Sequence, residues 1–408
     1  MKVVAEVAAS RPLMPVEQAL ERLLALAEAA PIEDVEEVAL GDAEGRVLAQ
    51  ALVANLDLPP WPNSAMDGYA VRLEDLHNQP LAVSQRIFAG HAPAALQAGT
   101  CARIFTGAPL PEGADCVEMQ ENTEVLADGR VRFLHPLTAQ QNVRPQGQET
   151  RAGEQIMVAG TRLGPIELGL AATLGHATVQ VRRRPRVAVL STGDELVEPG
   201  LPLGPGQIYN SNRRLLVGWL QRMGCQVIDA GILADDLTLT RQCLEHLGEV
   251  DLILSTGGVS VGEADYLGMA LREAGELALW KLAIKPGKPL TCGQWRGVPV
   301  IGLPGNPAST LVTFALLARP YLLRRLGVSE VAPLRFSVPA GFDWPKPGSR
   351  REYLRARIED GQVCLYPNQS SGVLRSAVWA QGLVEVHEGR TVAMGDSVPF
   401  IPFSELLD

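Results

Sequence analysis

Apolar residues at Val16, Leu20, Leu23, Leu24 and Ala27 recur at helical spacing behind Pro15, a good first-turn residue. They predict an amphipathic helix over 15–30. A second helix is expected near 33–40 or 43–50. From about residue 55 the period shortens. The runs Ala82–Phe88, Cys101–Phe105, Cys116–Glu118 and Val131–Leu134 are divided by Gly, Pro and Asn, which predicts a small β-rich unit over 55–142. Gly164–Leu174 reads as a further helix.

Beyond the basic run at 182–186 a third texture begins. Apolar runs at Val187–Leu190, near Gln226–Ala230, Asp251–Leu254 and Val298–Leu303 alternate with helical patterns over 211–223, 237–248 and 308–325. Such alternation predicts a doubly wound, mostly parallel α/β domain over 183–330. Three of its strands run into loops rich in Gly and Ser/Thr: S-T-G-D-E from Ser191, S-T-G-G-V-S-V-G from Ser255, and L-P-G-N-P from Leu303. Ligands of such folds bind at the carboxyl ends of strands, where glycine turns let backbone N–H groups approach an anion. None of the loops is a Walker A motif or a G-x-G-x-x-G fingerprint. Residues 331–408 return to short strands in VCLYP, LVEVHEG and DSVPFIP, a small C-terminal β domain.

A chain of 408 residues suits two to four domains. Its net charge of −10 argues against a general nucleic-acid binder. The distribution is uneven, however. Residues 281–329 hold no Asp or Glu, and three of the chain's five lysines (Lys281, Lys285, Lys288) fall within eight residues. This favours a small anionic ligand, with a solvated basic face as the plain alternative. The six cysteines are scattered without C-x-x-C spacing, so a disulfide framework or zinc site is not expected and a reducing cytoplasm fits. The uncharged run Gly297–Ala318 contains Pro299, Pro304 and Pro307 and reads as strand, turn and buried helix, not as a membrane span.

Several motifs together resemble a known family. Asn63-Ser64-Ala65-Met66-Asp67-Gly68-Tyr69-Ala70, Thr106-Gly107-Ala108-Pro109, Ser191-Thr192-Gly193-Asp194-Glu195-Leu196, Thr256 to Gly262, Lys285-Pro286-Gly287-Lys288-Pro289 and Leu303-Pro304-Gly305-Asn306-Pro307 are similar, in order, to hallmarks of the molybdopterin molybdenumtransferases. That family includes the C-terminal domain of the scaffold protein gephyrin. The resemblance implies insertion of molybdate into adenylylated molybdopterin, with release of AMP and formation of molybdenum cofactor. It also implies Mg2+ as the assisting metal and an elongated four-domain subunit. That subunit forms a homodimer whose clefts are lined by both copies, with other molybdenum cofactor biosynthesis proteins as further partners. On this reading the units are 1–54 with 143–182 (linker and dimerisation, α/β), 55–142 (β-rich insert), 183–330 (molybdopterin-binding α/β) and 331–408 (C-terminal β).

Residue roles follow from the resemblance. Asp67, Thr106, Glu149, Lys281, Lys285 and Arg355 are the expected catalytic set. In isolation Asp67 and Thr106 are turn residues, and Glu149 departs from the Asp usual in its motif. Ser191, Thr192, Gly193, Gly257, Gly258, Ser260, Lys288, Pro304, Gly305, Asn306, Pro307 and Ser371 are the expected substrate-binding set. Ser370 stands where the family commonly has Gly. Glu195, Asp235, Asp236 and Asp265 would repel an anionic substrate unless a cation sat between, and Mg2+ suits one or two carboxylates plus waters and phosphate oxygens. Helix capping by Asp194 or Asp235 is the competing reading. A molybdopterin adenylyltransferase and a non-catalytic pterin-binding scaffold are the alternative functions.

Overall fold

The computed structural model describes residues 13–77, 79–257, 266–274 and 277–407. Helix Val16–Glu28 forms where the periodicity places it and buries Val16, Ala19, Leu23 and Ala27. The second helix does not form. Residues Val35–Ala39 are a strand, followed by a single 3-10 turn at Leu40–Asp42. The strand pairs antiparallel with Thr178–Arg182, and Leu52–Val53 pairs with Gln155–Met157. Sheet partners far along the chain thus override the local helical pattern. Between these pairs the chain builds a four-stranded sheet in the order Ala82–Ile87, Thr100–Ile104, Gly68–Val71, Cys116–Met119. It has its own apolar cores, one around Ala70, Ile87 and Ile104, another around Val71, Cys101 and Val131.

The central sheet has six strands, ordered Gln226–Leu233, Arg186–Thr192, Leu252–Thr256, Val298–Leu303, Pro289–Trp295, Leu277–Lys281. The first four pair parallel; the last two pairings are antiparallel. Helices Asn212–Arg222, Leu237–His246 and Tyr266–Ala274 connect them, and a helical run from Pro307 to Arg325 follows. That run widens to a π turn at Phe314–Ala318. Pro320 lacks an N–H and its ring crowds the carbonyl four residues back, so a widened turn fits it. Leu23 of the first helix, Leu216, Leu254, Leu311 and the C-terminal Leu383 and Ile401 share one core. The C-terminal sheet orders Ile284–Lys285, Arg351–Glu359, Gly382–Val386, Ser397–Pro402, Phe336–Pro339.

A half-buried ion pair ties these parts together. Arg183 grips Asp251 through both guanidinium nitrogens at 2.9 and 3.0 Å, and Arg186 N–H donates to the same carboxylate at 2.7 Å. Burial pushes the Asp251 carboxyl up, but the Arg183 and Arg186 bonds outweigh it, and the group is held below the usual carboxylate range. A depressed carboxylate stabilises the fold above its unfolded pKa, and that contribution is lost as pH falls through the folded value. Asp251→Asn should therefore cost about 3 kcal/mol at pH 7. It should also flatten the loss of stability below about pH 4, the ordinary Asp range. Denaturant melts at pH 7 and pH 3 check both; an unchanged acid slope contradicts the assignment.

Candidate functional site

Parallel pairing puts the carboxyl ends of Arg186–Thr192, Leu252–Thr256 and Val298–Leu303 at one edge of the central sheet. Their glycine turns touch there. Gly257 has φ 83°, its N–H donates to the Leu303 carbonyl at 3.3 Å, and a Cβ on it would lie 2.5 Å from the Thr192 carbonyl oxygen. A Cβ on Gly305 would in turn rest 3.9 Å from the Gly257 Cα. At Gly257 only a residue without a side chain permits this approach; the Gly305 contact is an ordinary one.

The close approach frames a cavity of about 420 Å3 lined by Thr192, Glu195, Tyr209, Asn210, Asn212, Thr256, Gly257, Gly305, Asn306, Pro307 and Gly372, among others. Three buried lining atoms, Thr192 Oγ1, Asn210 Nδ2 and Asn212 Oδ1, have no hydrogen-bond partner among the described residues. Buried polar atoms are nearly always paired, so three unpaired ones on a single cavity make it the candidate site for a polar ligand. Behind them Ser191 Oγ lies 2.8 Å from Thr256 Oγ1, and Asn212 Nδ2 donates to the Gly305 carbonyl at 2.6 Å. Ser191 and Gly193 are buried but do not line the cavity. They shape the turn, as does Pro304, whose carbonyl accepts from Thr310 Oγ1 at 2.6 Å. Ser371 reaches the site through its backbone: its carbonyl accepts the Ala308 N–H at 2.9 Å, at the start of helix Pro307–Thr313.

The acidic residues divide. Asp236 caps helix Leu237–His246, its Oδ1 accepting the Leu239 N–H at 2.8 Å, a role the sequence reading gave to Asp194 or Asp235. Asp235 is different. Burial, then the neighbouring Asp194 and Glu195 carboxylates, push its pKa up. No group of three or more His, Cys, Asp or Glu side chains among the described residues is placed to hold a metal ion. Gly258, Ser260 and Asp265 lie outside the described residues.

The antiparallel pairings bring the 282–288 connection out at the same sheet edge as the glycine turns. Gly287 packs on Thr313 and Ser309, so this loop flanks the helix whose first residue lines the cavity. Lys281, Lys285 and Lys288 are all exposed and lie outside the cavity lining. Lys285 is not unpaired. Its Nζ lies 3.1 Å from Glu352 Oε2, without the alignment of a hydrogen bond, and Glu352 is 5% exposed. The stretch 281–329 holds no acid, yet the neighbouring C-terminal strand supplies one. Arg355 also needs correcting. It is fully buried, its guanidinium donating to Ser376 Oγ and to the carbonyls of Tyr353 and Ser370, and burial lowers its pKa to about 10. It braces the turn before Ser371 and is closed to an oxyanion. Arg350, overlooked in the sequence, donates to the Ile284 carbonyl at 3.3 Å and so stands beside the lysine loop.

Asp67 and Thr106 do meet. Thr106 donates to Asp67 Oδ1 from both its N–H and its hydroxyl, each at 2.8 Å, and holds that carboxyl below its usual range. Glu149 is exposed in the turn that follows Gly147, its N–H on the Leu58 carbonyl. Asp67 and Thr106 flank strands of the four-stranded sheet, whose cores are separate from the core under the cavity.

The comparisons with known proteins cover nearly the whole chain. Residues 14–175 match the MoeA N-terminal region (domain I and II), 188–324 a probable molybdopterin binding domain, and 337–403 the MoeA C-terminal region (domain IV). The chain is 37% identical to the molybdopterin molybdenumtransferase of Haemophilus influenzae over 378 residues, 90% of this chain and 94% of that one. The chain belongs to the molybdopterin molybdenumtransferase family. A second member, from Nostoc, is 42% identical over 307 residues, 72% of this chain and 70% of its own length. The solved molybdopterin biosynthesis moeA protein of Pyrococcus horikoshii OT3 superposes with a TM-score of 0.82 at 28% identity, covering 96% of this chain and all of that one. The described segments of this family member contain no helix long and apolar enough to cross a membrane.

Two outcomes follow. Gly257→Ala should strain a positive-φ turn against the Thr192 carbonyl, lower the melting temperature by several degrees and weaken substrate binding at least tenfold, an effect of about 1.4 kcal/mol. Titration of the folded variant with substrate checks this; unchanged affinity contradicts it. Because the fold raises the pKa of Asp235, its charge destabilises the fold at neutral pH. Asp235→Asn should therefore raise the melting temperature in metal-free buffer, and a fall would contradict the crowding described.

Proposed function

We propose that the chain inserts molybdate into adenylylated molybdopterin, releasing AMP and yielding molybdenum cofactor. Membership of the family makes it an enzyme that transfers molybdenum to molybdopterin. The observation that supports the seat of this chemistry is the cavity at the strand ends with three buried, unpaired polar atoms. Relatives named molybdopterin molybdenumtransferase, matched over most of the chain, favour this reading over an adenylyltransferase or a non-catalytic pterin-binding scaffold.

The substrate carries a phosphoanhydride, and the incoming molybdate is a second oxyanion. Unit charges of one sign about 4 Å apart repel by roughly 4 kcal/mol at an effective dielectric near 20. Lys281, Lys288 and Arg350, with Lys285 turned by Glu352, offset that repulsion from the loop beside the cavity. Backbone N–H groups of the glycine turns orient the substrate, and Thr192, Asn210 and Asn212 fix its polar edge. Catalysis is then positioning and charge stabilisation without a covalent enzyme intermediate. The crowded carboxylates of Asp194, Glu195 and Asp235 carry no described basic partner, which suits a hard divalent cation. One or two of them, with waters and substrate phosphate oxygens, would hold Mg2+. When bound, Mg2+ polarises the anhydride oxygens for cleavage.

Dimerisation completes this reading. Asp67 and Thr106 belong to the β-rich unit with its own cores, and on this reading they, with Glu149, meet the cavity of a second copy. We divide the chain into 1–54 with 143–182 as linker, 55–142 as insert, 183–330 as pterin-binding domain and 331–408 as C-terminal domain. The pairing of Val35–Ala39 with Thr178–Arg182 across the insert supports the first of these. Six free cysteines favour a reducing cytoplasm.

Replacing Lys281 and Lys285 together by Ala, with Glu352→Gln to avoid stranding a buried carboxylate, should reduce molybdate-dependent AMP release at least a hundredfold. Circular dichroism checks the fold and the Glu352→Gln single variant serves as control. Unchanged turnover of preformed adenylylated molybdopterin contradicts the role of the loop.

A further inference from the structure

Two asparagines of the cavity have their amides fixed by backbone partners. A carbonyl oxygen only accepts and an N–H only donates, so each partner decides which amide atom faces it. The Gly305 carbonyl takes Asn212 Nδ2 at 2.6 Å, which leaves Asn212 Oδ1, an acceptor, as the unpaired atom. The Arg213 N–H donates to Asn210 Oδ1 at 3.3 Å, and Ser191 Oγ donates to the same oxygen at 3.5 Å. That leaves Asn210 Nδ2, a donor, unpaired. Thr192 Oγ1 is unpaired as well, and a hydroxyl serves either way. Asn210 is 2% exposed, Asn212 8% and Thr192 9%, and all three line the one cavity.

This pattern selects among ligand chemistries. The oxygens of a phosphoanhydride and of molybdate are acceptors, and against Asn212 Oδ1 they would meet only lone pairs. The lining does not favour an anion either. Among the described residues that line the cavity Glu195 is the only charged one, and it is negative. Leu196, Ile208, Tyr209 and Pro307 supply apolar wall of the sort that packs against a flat ring. A neutral, flat group carrying both an acceptor and an N–H donor meets all of these conditions. We propose that the cavity takes a nitrogen heterocycle of the substrate rather than its oxyanions, and that Asn210 and Asn212 determine specificity, the first donating to a ring acceptor and the second accepting from a ring N–H. This rests on the function proposed above. It assigns the heterocyclic end of that substrate to the cavity and leaves the anionic groups to the exposed lysine loop outside the lining. Pterin and adenine both carry acceptors beside N–H donors, and titration separates them.

The test titrates the full-length protein separately with pterin, followed by its fluorescence, and with adenosine and molybdate, followed calorimetrically. Thr192→Val removes an unpaired hydroxyl at nearly constant shape. Asn210→Asp keeps the oxygen that the Arg213 N–H needs and replaces the donor with an acceptor, while both rings are neutral probes. Loss of one such hydrogen bond costs about tenfold in affinity. Each variant should lose at least that for one of the two rings. Thr192→Val should also keep its affinity for molybdate and melt no lower than the natural protein, because the hydroxyl it loses has no partner. A loss for pterin assigns the cavity to the pterin end, and a loss for adenosine alone assigns it to the adenine. Unchanged ring affinity in both variants, no measurable binding of either ring by the natural protein, or a Thr192→Val variant that loses molybdate rather than ring affinity overturns the proposal. Should Asn210→Asp fail to fold, Thr192→Val decides alone. Ring binding that depends on Thr192 in a protein without molybdate-dependent AMP release would keep the assignment of the cavity and remove the function it serves. AMP release from adenylylated molybdopterin that both variants leave untouched would do the reverse.

Discussion

Everything at the site hangs on how closely three backbone turns approach one another. Gly257 faces the Thr192 carbonyl with no room for a Cβ, and Gly305 packs beside it at ordinary contact distance. A side chain at Gly257 would push the strand ends apart. With glycine there, Thr192, Asn210 and Asn212 are drawn into a space where their polar atoms are buried yet unpaired. An unsatisfied buried donor or acceptor costs about 1–3 kcal/mol. The fold tolerates three at one place because the parallel sheet and its shared core, from Leu23 to Ile401, supply the compensating burial.

Charge is arranged around that cavity in opposed groups. Carboxylates of Asp194, Glu195 and Asp235 crowd beyond one set of strand ends, and the lysine loop with Arg350 stands beyond the other. Glu352 ties Lys285 across to the C-terminal sheet, and Arg355 braces the turn before Ser371 from within that same sheet. The C-terminal unit thus fixes the geometry of a site whose cavity belongs mainly to the central domain. Insertion of an oxyanion into a phosphorylated substrate requires both signs of charge nearby without their neutralising each other, and a rigid sheet edge keeps them apart.

Much of this was legible in the chain. The apolar strand runs and their glycine-rich ends gave the parallel core and its ligand edge, because buried strands and tight turns leave local signatures. The helix expected near 33–40 was not real: Val35–Ala39 pairs with Thr178–Arg182, a partner about 140 residues on that no local period can announce. The same blindness explains Lys285. Absence of acid in its own segment said nothing of Glu352 on a neighbouring strand. Arg355 looked like an oxyanion fork, but one residue's place on a strand decides which face it takes, and its face is the core. Asn210 and Asn212 carried no motif; only one buried, unpaired atom on each, Nδ2 and Oδ1, marks them. Asp236 followed the plainer rule of helix capping.

The most direct measurement is a crystal structure of the protein with adenylylated molybdopterin bound. The ligand should occupy the cavity at the strand ends, with its polar groups within hydrogen-bond distance of Thr192 Oγ1, Asn210 Nδ2 and Asn212 Oδ1 and its phosphates toward the lysine loop. A ligand bound elsewhere, with those three atoms still unpaired, would contradict the assignment of this cavity as the site of molybdenum transfer.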